Sequence, residues 1–244
     1  MVETIKIAGI DGSISSTGKV IMTLNKETLD IIDVRYYGYS DTIKYSYNGV
    51  MSEVKHMGTD YGSGLPVVER QYRAFPYIME HLEDVNMIGM EGYSFTKQSS
   101  SLVQLAEWGG SLKKMFYDND KGILIYPPTS VKMFATGNGS ASKIMMAHAI
   151  MEIYPEWYPK EFANLKQYES PHEDLCDAFW MCETLRNHMK YDIIGRDSLP
   201  DHVVSLLESK STKKNTPIVE VKIIKKGMDY NKKKQSTKST KKSK

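Results

Sequence analysis

Three consecutive strand-like segments open this chain, and helical and strand patterns then alternate; that order constrains the fold more than any other feature. The first segment, Thr4 to Asp11, alternates Ile5, Ile7 and Gly9 with Lys6 and Ala8 before reaching Ile10. "GSISSTG" reads as a turn, "KVIMTLN" as the returning strand, and "LDIIDVRYYGY" as a third strand rich in β-branched and aromatic residues. The stretch 40–64 is polar, Gly- and Tyr-rich and poorly periodic, and reads as an inserted loop with room for a small hairpin. From Leu65 to Leu82 the apolar residues Val68, Tyr72, Phe75, Ile78, Met79 and Leu82 recur at helical spacing. "NMIGME" is a short apolar strand, and Ser99 to Tyr117 a second helix with the stripe Leu102, Leu105, Ala106, Gly109, Leu112 and Phe116. "GILIYPP" is a further strand, "TSVKMFATG" a short helix, and "GSASKIMMAHAIMEIY" another, with Ser140 or Ser142 as its N-cap. An irregular segment holding Pro155, Pro159 and Pro171 leads to a long helix from about His172 to Met189. A strand meander followed by alternating elements implies an α/β fold: a mixed sheet flanked by helices.

Length bounds the organisation. A chain of 244 residues builds one substantial core and is short for two full enzyme domains. The net charge of +2 hides an asymmetry: residues 209–244 carry 13 lysines against Glu220 and Asp229, so an acidic body precedes a basic tail. The domain is therefore expected to occupy 1–208, with 209–244 as a Lys-rich tail that is disordered alone and assists binding to a polyanion or serves solubility. Only Cys176 and Cys182 occur, six apart within one helix, so neither a mutual disulfide nor a zinc cluster is expected. No apolar run approaches the roughly 18 residues of a membrane span and no leader precedes the first strand, so a cytoplasmic protein with no membrane partner is expected.

The chemistry resides in carboxylates. Asp11 sits where an apolar strand meets a Gly/Ser turn, the sheet end at which α/β proteins bind ligands, although an N-cap or turn role would also place an Asp there. Glu91 closes the apolar strand "NMIGME". Asp174 and Asp177, three apart at the start of "EDLCDAFWMCETL", fall on one helical face. The helix dipole alone accounts for Asp174 or Glu173, but Asp177 lies among Leu175, Cys176, Ala178, Phe179 and Trp180, and a buried carboxylate needs a partner or a cation. Four acids from three elements, with no histidine pair at ligand spacing, favour a hard, oxygen-preferring ion: Mg²⁺, with Mn²⁺ substituting. Two such ions about 3.5–4 Å apart serve phosphodiester hydrolysis, with Asp11 the best candidate to bridge them.

Four segments together resemble the motifs of RuvC-type Holliday-junction resolvases of the RNase H-like superfamily. "IAGIDGSISSTGKVI" resembles their first hairpin, "MIGMEGYSFTKQSSSLVQLAEWGGSL" the motif carrying a catalytic Glu and an aromatic loop, "YPPTSVKMFATGNGSASKIMMAHAI" the lysine-bearing motif, and "HEDLCDAFW" the closing acidic pair. They occur in the family's order and span most of residues 5–190. The resemblance implies an RNase H-like five-stranded mixed sheet and a Mg²⁺-dependent crossover-junction endonuclease with two ions per active site. Asp11, Glu91, Asp174 and Asp177 would be catalytic metal ligands, and Lys132 and Lys143 would be catalytic and contact the DNA backbone. Tyr93, Phe95 and Lys97 would be further DNA-binding residues, with Tyr93 and Phe95 displaced from the family's junction-centre aromatic. The substrates implied are branched DNA, four-way junctions foremost with flaps and forks beside them, and paired nicks imply a C₂ homodimer. The helix from Ser99 to Tyr117, with Gly109 and Gly110, is the candidate dimer surface, or else it merely covers the sheet. The longer loop, the Pro-rich stretch and the basic tail depart from bacterial members and resemble phage- or virus-encoded relatives, which would place the protein in a host cytoplasm.

Two other functions fit part of the pattern. A non-catalytic branched-DNA-binding protein could keep the same fold. "IDGSISSTG" also resembles the phosphate hairpin of actin-like ATPases and sugar kinases, which need two such domains and a second glycine-bearing hairpin.

Overall fold

The computed structural model describes residues 2–40, 46–57, 65–92 and 100–208. β1 (Thr4–Gly12), β2 (Ser16–Asn25) and β3 (Ile31–Ser40) form the expected antiparallel meander. β4 (Tyr47–Asn48) and β5 (Ser52–His56) follow, then α1 (Val67–Met79), β6 (Val85–Glu91), α2 (Ser100–Asp118) and β7 (Gly122–Tyr126). The helices α3 (Pro128–Thr136), α4 (Lys143–Ile153), α5 (His172–Ile193) and α6 (Asp201–Glu208) complete the described chain. The strands make one mixed sheet in the order β4-β5-β3-β2-β1-β6-β7.

The five expected strands form the contiguous block β3-β2-β1-β6-β7, with β1 at its centre and β6 and β7 parallel to it. The sheet has two strands more than expected, because part of the 40–64 insertion extends it. β5 adds parallel to the edge of β3, and β4 folds back on β5 as a short hairpin. This covers the edge that the meander would otherwise leave open.

Helices lie on both faces. Period-2 alternation sends Ile7 of β1 toward α3, α4 and α5, and Ala8 and Ile10 toward α1 and α2. α5 passes very close to the sheet, and glycines permit it. A Cβ at Gly9 would stand 2.0 Å from the Ala178 carbonyl oxygen, and one at Gly18 would stand 2.1 Å from that of Asp174. The helix is tied laterally by Trp180, whose indole N–H donates to the Met146 carbonyl of α4 at 2.8 Å. Farther along, the fully buried Glu183 carboxylate is satisfied by Arg186, Asn187 and the Tyr154 hydroxyl, the last at 2.7 Å.

On the other face the helical stripe of α1 differs from the pattern. Val68 and Tyr72 are 75% and 83% exposed and Arg70 and Ala74 are buried in their stead, whereas Ile78 and Leu82 are buried as the spacing predicts. Arg70 reaches the β1–β2 turn, donating to the Ile14 carbonyl at 3.0 Å, so a charged residue takes a place that the apolar spacing assigned elsewhere. The buried Lys19 of β2 faces the same layer. It donates to the carbonyls of Ile78 (3.1 Å), Tyr77 and Glu80 at the end of α1, and burial pushes its ammonium down to about 7. Both cysteines are free and buried, as expected. No described helix is long and apolar enough to cross a membrane. The tail 209–244 lies outside the described residues.

Candidate active site

Two strands and one helix bring the acids together. Asp11 lies next to the end of β1, opposite Gly18 of β2, and Glu91 ends β6, opposite Tyr126 of β7. The parallel register pairs Gly9 with Gly89 and Ile10 with Met90, so the next step along each strand puts Asp11 and Glu91 at neighbouring strand ends. Gly89, like Gly9, faces α5: a Cβ there would meet the Met181 carbonyl at 2.8 Å. By alternation Asp11 and Glu91 face that helix too. Its first turns supply Asp174 and Asp177, three apart on one face.

The lysines come from the two helices that follow β7, Lys132 from within α3 and Lys143 from the start of α4. α3 ends at Gly137, whose φ of +72° is the left-handed conformation that a glycine adopts without strain, and its N–H closes on the Met133 carbonyl. The chain then restarts as α4 at Ser142, whose hydroxyl caps the Met145 N–H at 3.3 Å, so Ser142 and not Ser140 is the cap. Lys143 is therefore the first residue of α4, and its ammonium pairs directly with Asp177 Oδ2, with Glu173 at 4.0 Å.

Asp11, Glu91, Asp177, Lys132 and Lys143 line one cavity of about 370 Å³. Asp174 is set back from it, only 8% exposed, with Oδ2 accepting hydrogen bonds from the hydroxyls of Ser16 and Ser170, both at 2.5 Å. The structure thus brings together all six residues expected to be catalytic, three of the acids on the cavity and the fourth behind it. Tyr93, Phe95 and Lys97 lie outside the described residues.

Burial and mutual repulsion dominate the electrostatics. Asp11 is raised well above the usual carboxylate range, chiefly by burial, then by Asp177 and Asp174, with Lys143 opposing. Burial and the Asp177 charge push Glu91 up to about 7. Asp177 is raised by burial and pulled back by Lys143. Burial alone would depress the Lys143 ammonium, but Asp177 and Asp11 reverse this and hold it above its usual value. Carboxylates so placed gain from any cation that enters. Among the described residues no three acidic, histidine or cysteine side chains are gathered closely enough to hold an ion as they stand. The positive charge beside Asp177 is supplied by Lys143. The donor chemistry, oxygen only, nevertheless fits a hard divalent cation and not zinc.

Sequence reasoning missed three parts of this site. Leu102, Leu105, Gly109 and Lys113 of α2 line the cavity. Their spacing of three or four marks one helical face, and Lys113 continues a stripe that was read as purely apolar. Ser16 carries no local signal, because its partner is 158 residues away, and Ser170, four residues ahead of Asp174, went unread beside Pro171. Glu173 joins the same field, raised by burial and by the neighbouring acids against the pull of Lys143.

No protein-family model matches the sequence, and no curated protein matches it either. Solved structures do match. Thermus thermophilus RuvC is 20% identical with a TM-score of 0.50, covering 78% of this chain and 96% of that one. T. thermophilus RuvC in complex with a Holliday junction substrate is 19% identical at 0.51, with the same coverage. The Fowlpox virus resolvase with Holliday junction DNA is 10% identical at 0.44, covering 76% and 99%. The two RuvC structures carry the comparison, and with the strand order and helix placement above they show that this chain has the RuvC-type, RNase H-like fold.

Proposed function

We propose that this chain is a divalent-cation-dependent endonuclease that cuts branched DNA, four-way junctions foremost. One observation carries the reading: buried carboxylates from two adjacent strand ends and from α5 converge with two lysines on a single cavity. The fold adds support, since a protein of that fold is seen bound to a Holliday junction.

Asp11, Glu91 and Asp177, with Asp174 behind them, would hold Mg²⁺, or Mn²⁺ in its place, two ions per site. Such ions, when bound, activate water and stabilise the leaving oxygen of a phosphodiester. The rest falls to the side chains. Burial favours the protonated forms of Asp11 and Glu91, and a bound cation would favour their carboxylates instead. Lys143 leaves Asp177 for the phosphate, and Lys132 on the neighbouring helix steadies the same developing charge. Leu102 and Leu105 wall the cavity and reduce its water. Two such sites in a C₂ homodimer would nick both strands of a symmetric junction. The exposed Val68 and Tyr72 of α1 and Val103 of α2 extend the surface assigned to that contact. The Lys-rich tail would add sequence-independent affinity.

A second reading has one observation in its favour. Lys143 neutralises Asp177 without any ion, as a non-catalytic branched-DNA-binding protein would need. Incubation with four-way junction, flap and linear duplex, in Mg²⁺ or in EDTA, separates the two. Metal-dependent nicking that is lost in Asp11→Asn supports the nuclease. Tight junction binding with no nicking in Mg²⁺ or Mn²⁺ supports the binding protein and rejects the nuclease.

A further inference from the structure

We infer that Ser16 and Ser170 are positioning residues that set Asp174 for the cation, an inference that rests on the metal-site reading above. Asp174 is the one acid of the four that does not line the cavity, and its carboxylate is not left to find its own orientation. Ser16 Oγ and Ser170 Oγ both donate to Oδ2, from opposite directions in the chain. Among the described residues no hydrogen bond goes to Oδ1. A carboxylate with one oxygen doubly tied and the other unengaged has a fixed plane and one oxygen available as a ligand.

Ser16 does more than hold Asp174, because it belongs to the hairpin that carries Asp11. The turn between β1 and β2 is closed by Ser13, whose N–H and hydroxyl donate to the Ser16 carbonyl at 2.9 and 2.7 Å. The Ser16 N–H returns a bond to Ser13 Oγ at 3.1 Å. This closed turn begins two residues after Asp11 and ends in the hydroxyl that grips Asp174. It therefore couples two carboxylates 163 positions apart in sequence through one buried serine, which is only 1% exposed. Ser170 completes the clamp from the turn just ahead of α5, where the N-cap residue Pro171 offers no side-chain bond of its own.

The test is Mn²⁺ titration of the full chain by calorimetry, comparing the parent with Ser16→Ala, Ser170→Ala and Ser170→Thr. Each alanine variant should weaken Mn²⁺ binding by about 10–100-fold, the usual consequence of removing an outer partner of a metal ligand. Ser170→Thr, which keeps the hydroxyl, should restore it. Melting temperature in EDTA reports the purely structural effect and should move little in Ser170→Ala. Parental Mn²⁺ affinity in Ser170→Ala and in any folded Ser16→Ala overturns the inference, and Ser170→Ala decides alone if the buried variant does not fold. A parent chain that binds no Mn²⁺ rejects the metal site itself, a different failure that is visible before any serine is changed.

Discussion

Gly9 and Gly89 face one another across the parallel pairing of β1 and β6, each two residues ahead of a carboxylate and each beneath α5. Both acids therefore sit in the same local arrangement, "GIDG" and "GMEG", in which a bare backbone lets the helix descend and the following residues deliver the acid beside it. Gly9→Ala forces a Cβ to 2.0 Å from a helix carbonyl, so α5 must lift. Overpacking of this kind should cost about 1–3 kcal/mol or more, read by urea denaturation, and should carry Asp174 and Asp177 away from Asp11. Gly110, on the exposed face of α2 with nothing within 4 Å of a Cβ, should respond in the opposite way. Gly110→Ala should gain about 0.5–1 kcal/mol. A loss there would place Gly110 within the close contact proposed for the homodimer.

Stability should depend on pH in an unusual direction. Glu91 is raised from the ordinary 4.5 to about 7, and Asp11 is raised as well, so the native state holds protons that the unfolded chain releases. Between about pH 4.5 and 7 the folded state binds more protons, so unfolding free energy falls as pH rises through that window. The Glu91 contribution alone is on the order of 3 kcal/mol, and the acids titrate as a coupled set. Denaturation in EDTA at pH 5 and pH 7.5 should show this decline, and Mg²⁺ should reverse it at the higher pH. A flat profile in EDTA would mean that neither burial nor mutual repulsion raises these acids.

The two lysines should separate in kinetics. Lys143 touches Asp177, whereas Lys132 acts on Glu91 and Asp177 only through space. Lys143→Ala should lower kcat by about 10²-fold or more, as losing a charge-stabilising donor does elsewhere. It should also shift the acid limb of the pH–rate profile upward, because Lys143, ahead of Lys132, holds Glu91 from rising further. Lys132→Ala should move the profile less. Equal effects of the two variants would contradict the contact seen here.

The tail predicts a salt dependence. With 13 lysines beyond residue 208, it should steepen the fall of junction affinity with ionic strength. Truncation after Glu208 should therefore cost more affinity at 50 mM salt than at 200 mM, and should flatten the log–log slope. An unchanged slope would leave the tail a solubility role.

Three acids were legible because each breaks an apolar pattern: Asp11 and Glu91 at or beside a strand end, and Asp177 within the buried run of α5. The five central strands were legible for the same reason, since alternation survives wherever one face meets helices. Periodicity found α1 and the inward Phe75, Ile78, Met79 and Leu82, but misplaced its first turns, where Val68 and Tyr72 are exposed while Arg70 is buried against the Ile14 carbonyl. The small hairpin allowed for in 40–64 is β4–β5, although its pairing to β3 depends on tertiary contacts, and the eight-residue α6 was missed altogether. Ser16 was invisible because its hydroxyl's partner is set by the fold and not by its neighbours, whereas the local Ser170–Asp174 pair has no pattern that separates it from an ordinary helix-start contact.

The most direct test is a crystal of the full chain grown or soaked with Mn²⁺ and measured for anomalous scattering. The account predicts peaks in the cavity bounded by Asp11, Glu91 and Asp177, with the Lys143 ammonium displaced from Asp177. An ordered site with Lys143 still paired to Asp177 and no anomalous peak among the carboxylates would contradict it.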